Sequence, residues 1–226
     1  MTDRGLFIVL EGVEGVGKTT QWKRIGERLR DVGHSVVSLR EPGGTDGGDL
    51  IRNIVLHSDI KLSGAGEALL FAASRAEIIA GVIQPALARG DTVLLDRFLL
   101  STYAYQGAGR GLEMKSLRSI NEFATRGITP DLTLLLSLPV HDALQRAGRR
   151  SQADRIEREN HQFHERVAAA FDLAATKSWQ DAHPECGRIT PVDASGSPDE
   201  VSQRCIATLA ERWPSHFGTL LESATR

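Results

Sequence analysis

The chain has 226 residues, with 27 Lys and Arg against 29 Asp and Glu, a net charge of -2 and 41% hydrophobic residues. That balance excludes a general attraction to nucleic acid or to an anionic membrane, and no apolar run approaches the roughly twenty residues a bilayer span needs. The length suits a single domain over residues 1–226 with a full core, and the composition is that of a soluble cytoplasmic protein without a secretion signal. Cys186 and Cys205 lie far apart and lack a Cys-x-x-Cys partner, which predicts free thiols rather than a disulfide or a metal site.

Taken in chain order, short apolar runs alternate with longer helical patterns, the signature of parallel strands joined by crossover helices. Strands are predicted at 6–11, 35–39, 92–96, 132–136 and 188–192. Helices are predicted at 18–32, 48–57, 66–89, 113–126, 140–150, 156–182 and 198–212. Several strands are continuous Val, Leu and Ile, as expected where both faces are covered. The predicted fold class is α/β: a three-layer sandwich around a five-stranded parallel sheet, with ligands at the edge where the strands end. The segment 213–226 is apolar in places and is left open between packing and fraying.

The most informative segment is Gly12-Val13-Glu14-Gly15-Val16-Gly17-Lys18-Thr19, which follows directly on the first strand and opens the first helix. Glycine-rich turns in that setting aim backbone N–H groups at phosphate oxygens, with Lys18 as a point charge and Thr19 as a hydroxyl ligand for Mg2+. These eight residues are therefore the candidate ATP-binding loop. Asp96 ends the third strand and is placed to hold Mg2+ through water opposite Thr19; an ion pair with Arg97 is the lesser alternative and is compatible with that role. A hydrolytic motor usually carries a glutamate after this aspartate, so Arg97 points to a second anion rather than an attacking water.

Arginines recur wherever a loop should overhang the sheet edge: Arg40, Arg75, Arg97 and Arg110, then Arg146, Arg149, Arg150, Arg155 and Arg158 around Ser151-Gln-Ala-Asp154. Each alone is most simply a solvated charge, but their joint placement suggests one cluster for an acceptor phosphate and another on a flap over the donor. Leu62-Ser-Gly-Ala-Gly66 lacks the rest of a transporter ATPase signature and is taken as a loop and helix cap. Thr176-Lys-Ser-Trp179 lacks the aspartate of a guanine reader.

Phe7 to Thr20, Arg40-Glu-Pro-Gly-Gly-Thr45, Phe71-Ala-Ala-Ser-Arg75, Asp96-Arg-Phe98, Ser101-Thr-Tyr-Ala-Tyr-Gln106, Pro130-Asp-Leu-Thr133 and Asp154-Arg-Ile-Glu157 together resemble thymidylate kinases of the bacterial type, from about residue 6 to about residue 210. The resemblance implies a P-loop fold of the nucleoside monophosphate kinase type and a short arginine-rich lid at about 146–158. It also implies the reaction ATP + dTMP to ADP + dTDP on the way to dTTP, with Mg2+ required, and a homodimer without nucleic-acid or membrane partners. Carried over by position, the catalytic set is Lys18, Arg97, Arg150 and Arg155. The acceptor set is Glu14, Arg40, Phe71, Arg75, Arg97, Ser101, Thr102 and Tyr105, and Thr19 and Asp96 form the metal set. Within it, Phe71 resembles the ring that stacks on thymine, although its helical position suits a core residue equally. Arg75 resembles the donor to the thymine carbonyl, Thr102 faces the base edge, and Tyr105 crowds the sugar 2′ position. Arg40 and Arg97 resemble the phosphate clamp, and Glu14 the acid that senses the deoxyribose. Phe98 and Tyr103 depart from the family's usual residues.

Overall fold

The computed structural model describes residues 4–147 and 154–222. Five strands, β1 (Phe7–Glu11), β2 (Val36–Arg40), β3 (Thr92–Asp96), β4 (Leu132–Ser137) and β5 (Ile189–Asp193), form one all-parallel sheet in the order β2-β3-β1-β4-β5. β1 and β3 are buried along their whole lengths because helices cover both faces, which is why they are nearly unbroken in apolar residues. The edge strand β2 is only partly covered, and its Val-Val-Ser-Leu-Arg sequence is correspondingly mixed.

The helices are α1 (Lys18–Asp31), α2 (Asp46–Arg52), α3 (Gly64–Ile78), α4 (Gln84–Ala88), α5 (Leu99–Thr102), α6 (Met114–Thr125), α7 (Val140–Ala147), α8 (His161–Ala174), α9 (Lys177–Ala182), α10 (Pro198–Arg212), α11 (Pro214–Phe217) and α12 (Thr219–Glu222). The five predicted strands are all present, each within a residue of its expected ends. Ser63 caps α3, its Oγ accepting from the Gly66 amide at 3.1 Å, so the segment around it is the expected helix cap.

Three helical expectations are corrected. The path from 66 to 89 is helical but widens at Ile79–Ile83, just before Pro85, which has no N–H to donate and would crowd the carbonyl one turn back. The predicted helix 156–182 is broken twice. Asp154 Oδ1 holds a turn by accepting from the Ile156 and Glu157 amides, both at 2.9 Å, before Asn160 caps α8 and Thr176 caps α9. The glycine-rich stretch after α5 is a wide helical segment, Tyr103–Gly109, rather than a loop. A Cβ at Gly109 would lie 2.5 Å from the Phe163 ring, so the small residue serves close packing against α8.

Cα register places Leu10, Arg40 and Asp96 in one row at the carboxyl edge of the sheet, so the loops after β1, β2 and β3 share a common crevice. Among the described residues no helix is long and apolar enough to cross a membrane, and Cys186 and Cys205 are buried and free.

The end of the chain packs rather than frays as far as Leu220. Phe217 and Leu220 are fully buried, His216 O meets His34 Nε2 at 2.9 Å, and Arg28 Nη2 donates to Leu220 O at 3.3 Å. Phe217→Ala is therefore expected to cost about 3 kcal/mol of stability, read as a lowered urea midpoint. Turnover at saturating substrate and 25 °C should be unchanged, because this contact lies beside the start of β2, at the opposite end of the strands from the crevice.

Candidate active site

The donor side is built by the turn between β1 and α1. Gly12 has φ 138°, and a Cβ there would sit 2.4 Å from Leu136 O, so no other residue fits the loop's first bend. α1 begins at Gly17 with no side-chain cap and no acidic residue in its first turn, whereas α2, α3, α8, α9 and α10 are each capped by a side chain. Its first-turn amides and the positive end of its dipole are thus left for an anion. Lys18 folds back over the turn, its Nζ donating to Gly12 O at 2.9 Å and Val13 O at 2.7 Å. Burial, and then Arg97, lower the Lys18 pKa to about 8 against the attraction of Glu14, Asp96 and Glu11.

Thr19 Oγ1 donates to Asp96 Oδ2 at 2.9 Å, while Asp96 Oδ1 is buried without a hydrogen-bond partner. One hydroxyl and one carboxylate with an unused oxygen suit a hard cation that takes its remaining ligands from phosphates and water. Asp96 makes no ion pair with Arg97 among the described residues; the arginine pairs elsewhere.

Arg97 sits at the centre of the crevice. Nη2 meets Glu14 Oε1 at 2.8 Å, Nη1 donates to Ser101 Oγ at 3.0 Å and Gly12 O at 3.1 Å, and the guanidinium lies 5.0 Å from the Tyr105 ring centroid. Tyr105 in turn donates its hydroxyl to Glu14 Oε2. Against the burial of its guanidinium, Tyr105, Glu14, Glu11 and Asp96 hold the Arg97 pKa above its ordinary value. Burial also opposes the Glu14 charge, yet Arg97, Lys18 and the Tyr105 hydroxyl leave its pKa lowered. The backbone of Arg97 is left-handed, φ 70°, a conformation that costs a side-chain-bearing residue about 1 kcal/mol and is kept only where the surroundings enforce it.

The pocket beside Arg97 has a volume of about 530 Å³ and brings together Glu14, Lys18, Thr19, Arg40, Phe71, Arg75, Asp96, Arg97, Ser101, Thr102 and Tyr105. Phe71 is partly buried, packing on the core while one side faces the pocket, which reconciles its two sequence readings. Arg75 is 2% exposed. Its Nε and Nη2 donate to Glu41 Oε2 at 3.0 and 2.7 Å and its Nη1 to Asn121 Oδ1 at 2.6 Å, so much of its donor capacity is already used within the protein. Burial raises the Glu41 pKa to about 7 despite that pair. Arg40 is exposed at the end of β2, and Arg52, whose Nη1 donates to Pro42 O at 2.9 Å, stands in the same wall.

Of the lid arginines, Arg149 and Arg150 lie outside the described residues. Arg146 Nη1 donates to Ala194 O at 3.2 Å. Arg155 does not line the pocket: its Nε donates to Val55 O at 2.8 Å and its Nη2 meets Glu67 Oε2 at 2.5 Å. Glu67 also accepts from Gln106 and Arg110, and Arg110 reaches Glu159 at 2.5 Å, so the flap's return strand of chain is tied to α3 through one buried carboxylate. Sequence reasoning did not single out Glu67, Arg52 or Glu11. The signal for Glu11 was present, since a charge closing an otherwise apolar buried strand needs partners.

A phosphate-binding turn, a hydroxyl and carboxylate pair for a cation, and a caged arginine beside a nucleotide-sized pocket define the class of P-loop kinases acting on nucleoside monophosphates. A family model for thymidylate kinase matches residues 10–203. The chain is 48% identical over 210 residues to a thymidylate kinase of Deinococcus radiodurans, covering 92% of this chain and 98% of the relative. It is 47% identical over 209 residues to one from a Synechococcus strain, covering 92% and 96%. A crystal structure of thymidylate kinase from Ehrlichia chaffeensis superposes with a TM-score of 0.72 at 26% identity, covering 91% of this chain and 99% of that one. The chain belongs to the thymidylate kinase family.

The lowered Lys18 pKa carries a pH dependence. In the free protein Lys18 is charged below about pH 8 and loses its proton above it, removing the ammonium that meets donor phosphates. ATP binding measured without dTMP should therefore weaken above about pH 8, approaching about tenfold per pH unit, whereas kcat should hold to higher pH because bound phosphates favour the charged amine. An ATP affinity that stays flat to about pH 9.5 would contradict the assignment.

Proposed function

We propose that the residues gathered in this crevice carry out ATP-dependent phosphorylation of dTMP to dTDP as follows. The amides of Gly12 to Thr19 and the Lys18 ammonium hold the donor phosphates, and Thr19 and Asp96 hold Mg2+. That ion, when bound, neutralises charge on the β- and γ-phosphates. Arg97 grips the acceptor phosphate, a task for which a planar guanidinium suits better than an ammonium, and Arg40 closes the clamp from β2. Phe71 stacks on thymine, Arg75 and Thr102 face the base edge, Ser101 steadies Arg97, and the Tyr105–Glu14 pair walls the sugar where a ribose hydroxyl would sit. The acceptor oxygen is already anionic at neutral pH, so transfer is in line and needs no strong general base and no covalent intermediate. Positioning and charge neutralisation supply the rate. Arg150 is assigned to the flap that excludes water and stabilises charge on the transferred group, while Arg155, bonded to Glu67 and Val55, anchors the chain that returns from that flap. The 226-residue chain is read as one such domain, acting in the cytoplasm, where two buried thiols stay reduced.

The observation that carries this reading is the Arg97 cage. A cation held between an acid of the donor loop and an aromatic of the acceptor wall, next to the metal carboxylate, stands where two anionic nucleotides would meet. Coupled ADP release with dTMP, dUMP, dCMP and AMP side by side should show dTMP preferred. Arg97→Ala should lower kcat/KM for dTMP by about a hundredfold while the ATP KM changes little. Unaltered use of dTMP by that variant would remove Arg97 from the clamp.

A homodimer is assigned to the outer faces of α3 and α6. Phe123 is 87% exposed on α6 and Leu69 57% exposed on α3, large apolar side chains on neighbouring helices, and their exposure supports this face as the one a second copy covers. Phe123→Asp is expected to weaken association by at least about thirtyfold, seen by light scattering as a shift to the mass of one chain.

A further inference from the structure

Glu11 is the last residue of β1, fully buried, and no step of the reaction above uses it. Its carboxylate reaches across the crevice floor to the segment after β3. Oε1 accepts from the Phe98 amide at 2.8 Å and the Ser101 amide at 2.9 Å, and Oε2 accepts from Ser101 Oγ at 2.6 Å. Phe98 is the residue before α5 and has no side chain able to cap it, so Glu11 supplies from another strand what the local sequence lacks. Ser101 Oγ also accepts from Arg97 Nη1 at 3.0 Å, which makes a relay from the Glu11 carboxylate through one hydroxyl to the acceptor arginine. The Arg97 amide is held as well, donating to Leu10 O at 3.0 Å, so the residue's left-handed backbone is gripped on both sides by the end of β1.

We infer that Glu11 is the positioning residue for the acceptor clamp: it orients Arg97 through Ser101 and the Phe98–Ser101 backbone, and so joins the strand that launches the donor loop to the group that receives dTMP. The inference rests on the acceptor role given to Arg97. A carboxylate is required because it accepts three hydrogen bonds with both oxygens. In Glu11→Gln one of those oxygens becomes an NH2 donor facing Ser101 Oγ, which leaves the serine proton without its acceptor and competes with Arg97 for the serine lone pairs. Burial pushes the Glu11 pKa up, while Arg97 and the Ser101 and Phe98 hydrogen bonds oppose that rise.

The test is a cycle of Glu11→Gln, Ser101→Ala and the double variant in the full chain, with dTMP binding measured by calorimetry without ATP, both KM values by coupled assay, and stability by urea. The expected result is about tenfold weaker dTMP binding in Glu11→Gln, an ATP KM within about twofold of the parent, and a double variant no worse than the poorer single one. Equal loss for ATP and dTMP, an unchanged dTMP affinity, or additive effects of the two substitutions would overturn the inference. If Glu11→Gln does not fold, Ser101→Ala decides: an unchanged dTMP affinity there breaks the relay. Arg97→Ala separates the two levels, since normal dTMP use in that variant faults the clamp itself, whereas a damaged Arg97→Ala beside a normal Glu11→Gln faults only the positioning role.

Discussion

The structure turns on the confinement of one guanidinium. Arg97 has an acid on one side, Glu14, an aromatic face on another, Tyr105, and the carbonyl of Gly12 and hydroxyl of Ser101 around its remaining edge. Those partners come from the turn after β1 and from the helical segments after β3, two neighbouring strands of a parallel sheet, so the sheet's own register sets the distance between the phosphate turn and Arg97. A parallel sheet with buried faces is hard to deform, and sites whose geometry must hold to within about half an ångström are best built on such elements. Three of the five strands, β1, β2 and β3, each contribute their last residue: Glu11, Arg40 and Asp96.

That confinement has an energetic cost that the fold bears in its core. Glu11, Lys18, Glu41 and Arg75 are all buried, and an isolated charge there would be penalised by several kcal/mol, so each is paired or multiply hydrogen-bonded. Clustering them in one crevice means that an arriving phosphate meets dipoles and charges already desolvated and oriented, with little reorganisation left to do during transfer. Arg75 illustrates the compromise. Its bonds to Glu41 and Asn121 make it rigid enough to present one edge to the pocket, while those same bonds limit what that edge can offer.

The strands, their parallel order class and the phosphate loop were legible in the sequence because each rests on local pattern: continuous apolar runs, a glycine-rich turn, a hydroxyl after a lysine. The segment Tyr103–Gly109 was not legible, because its glycines serve close packing against Phe163 across the fold, a reason that no local propensity reveals. The break at Asn160 was hidden in the same way, by a turn that the Asp154 side chain, just upstream, imposes on the start of an otherwise helical pattern. Among site residues, those inside motifs could be named, whereas Glu67 and Arg52 owe their places to partners more than thirty positions away or to a neighbouring loop. Arg155 shows the limit of motif transfer, since its described contacts are with Glu67 and Val55 rather than with the phosphate turn.

The acid inside the phosphate loop, which looks misplaced beside an anion, becomes intelligible from these charges. Lys18 and Arg97 are close enough that the arginine lowers the lysine's pKa, and without a counter-charge the loop would hold two cations that repel each other and favour rotation of one of them out to solvent. Glu14 ion-pairs with the Arg97 guanidinium and offsets the charge of Lys18, and although burial opposes its own charge both cations help hold its pKa down. The same carboxylate receives the Tyr105 hydroxyl, so the residue that offsets the Lys18 charge also fixes the pocket wall at Tyr105. The charge of Lys18, the placement of Arg97 and the orientation of Tyr105 are therefore not three independent features. They share one carboxylate, and a change in its charge would be felt by all of them at once.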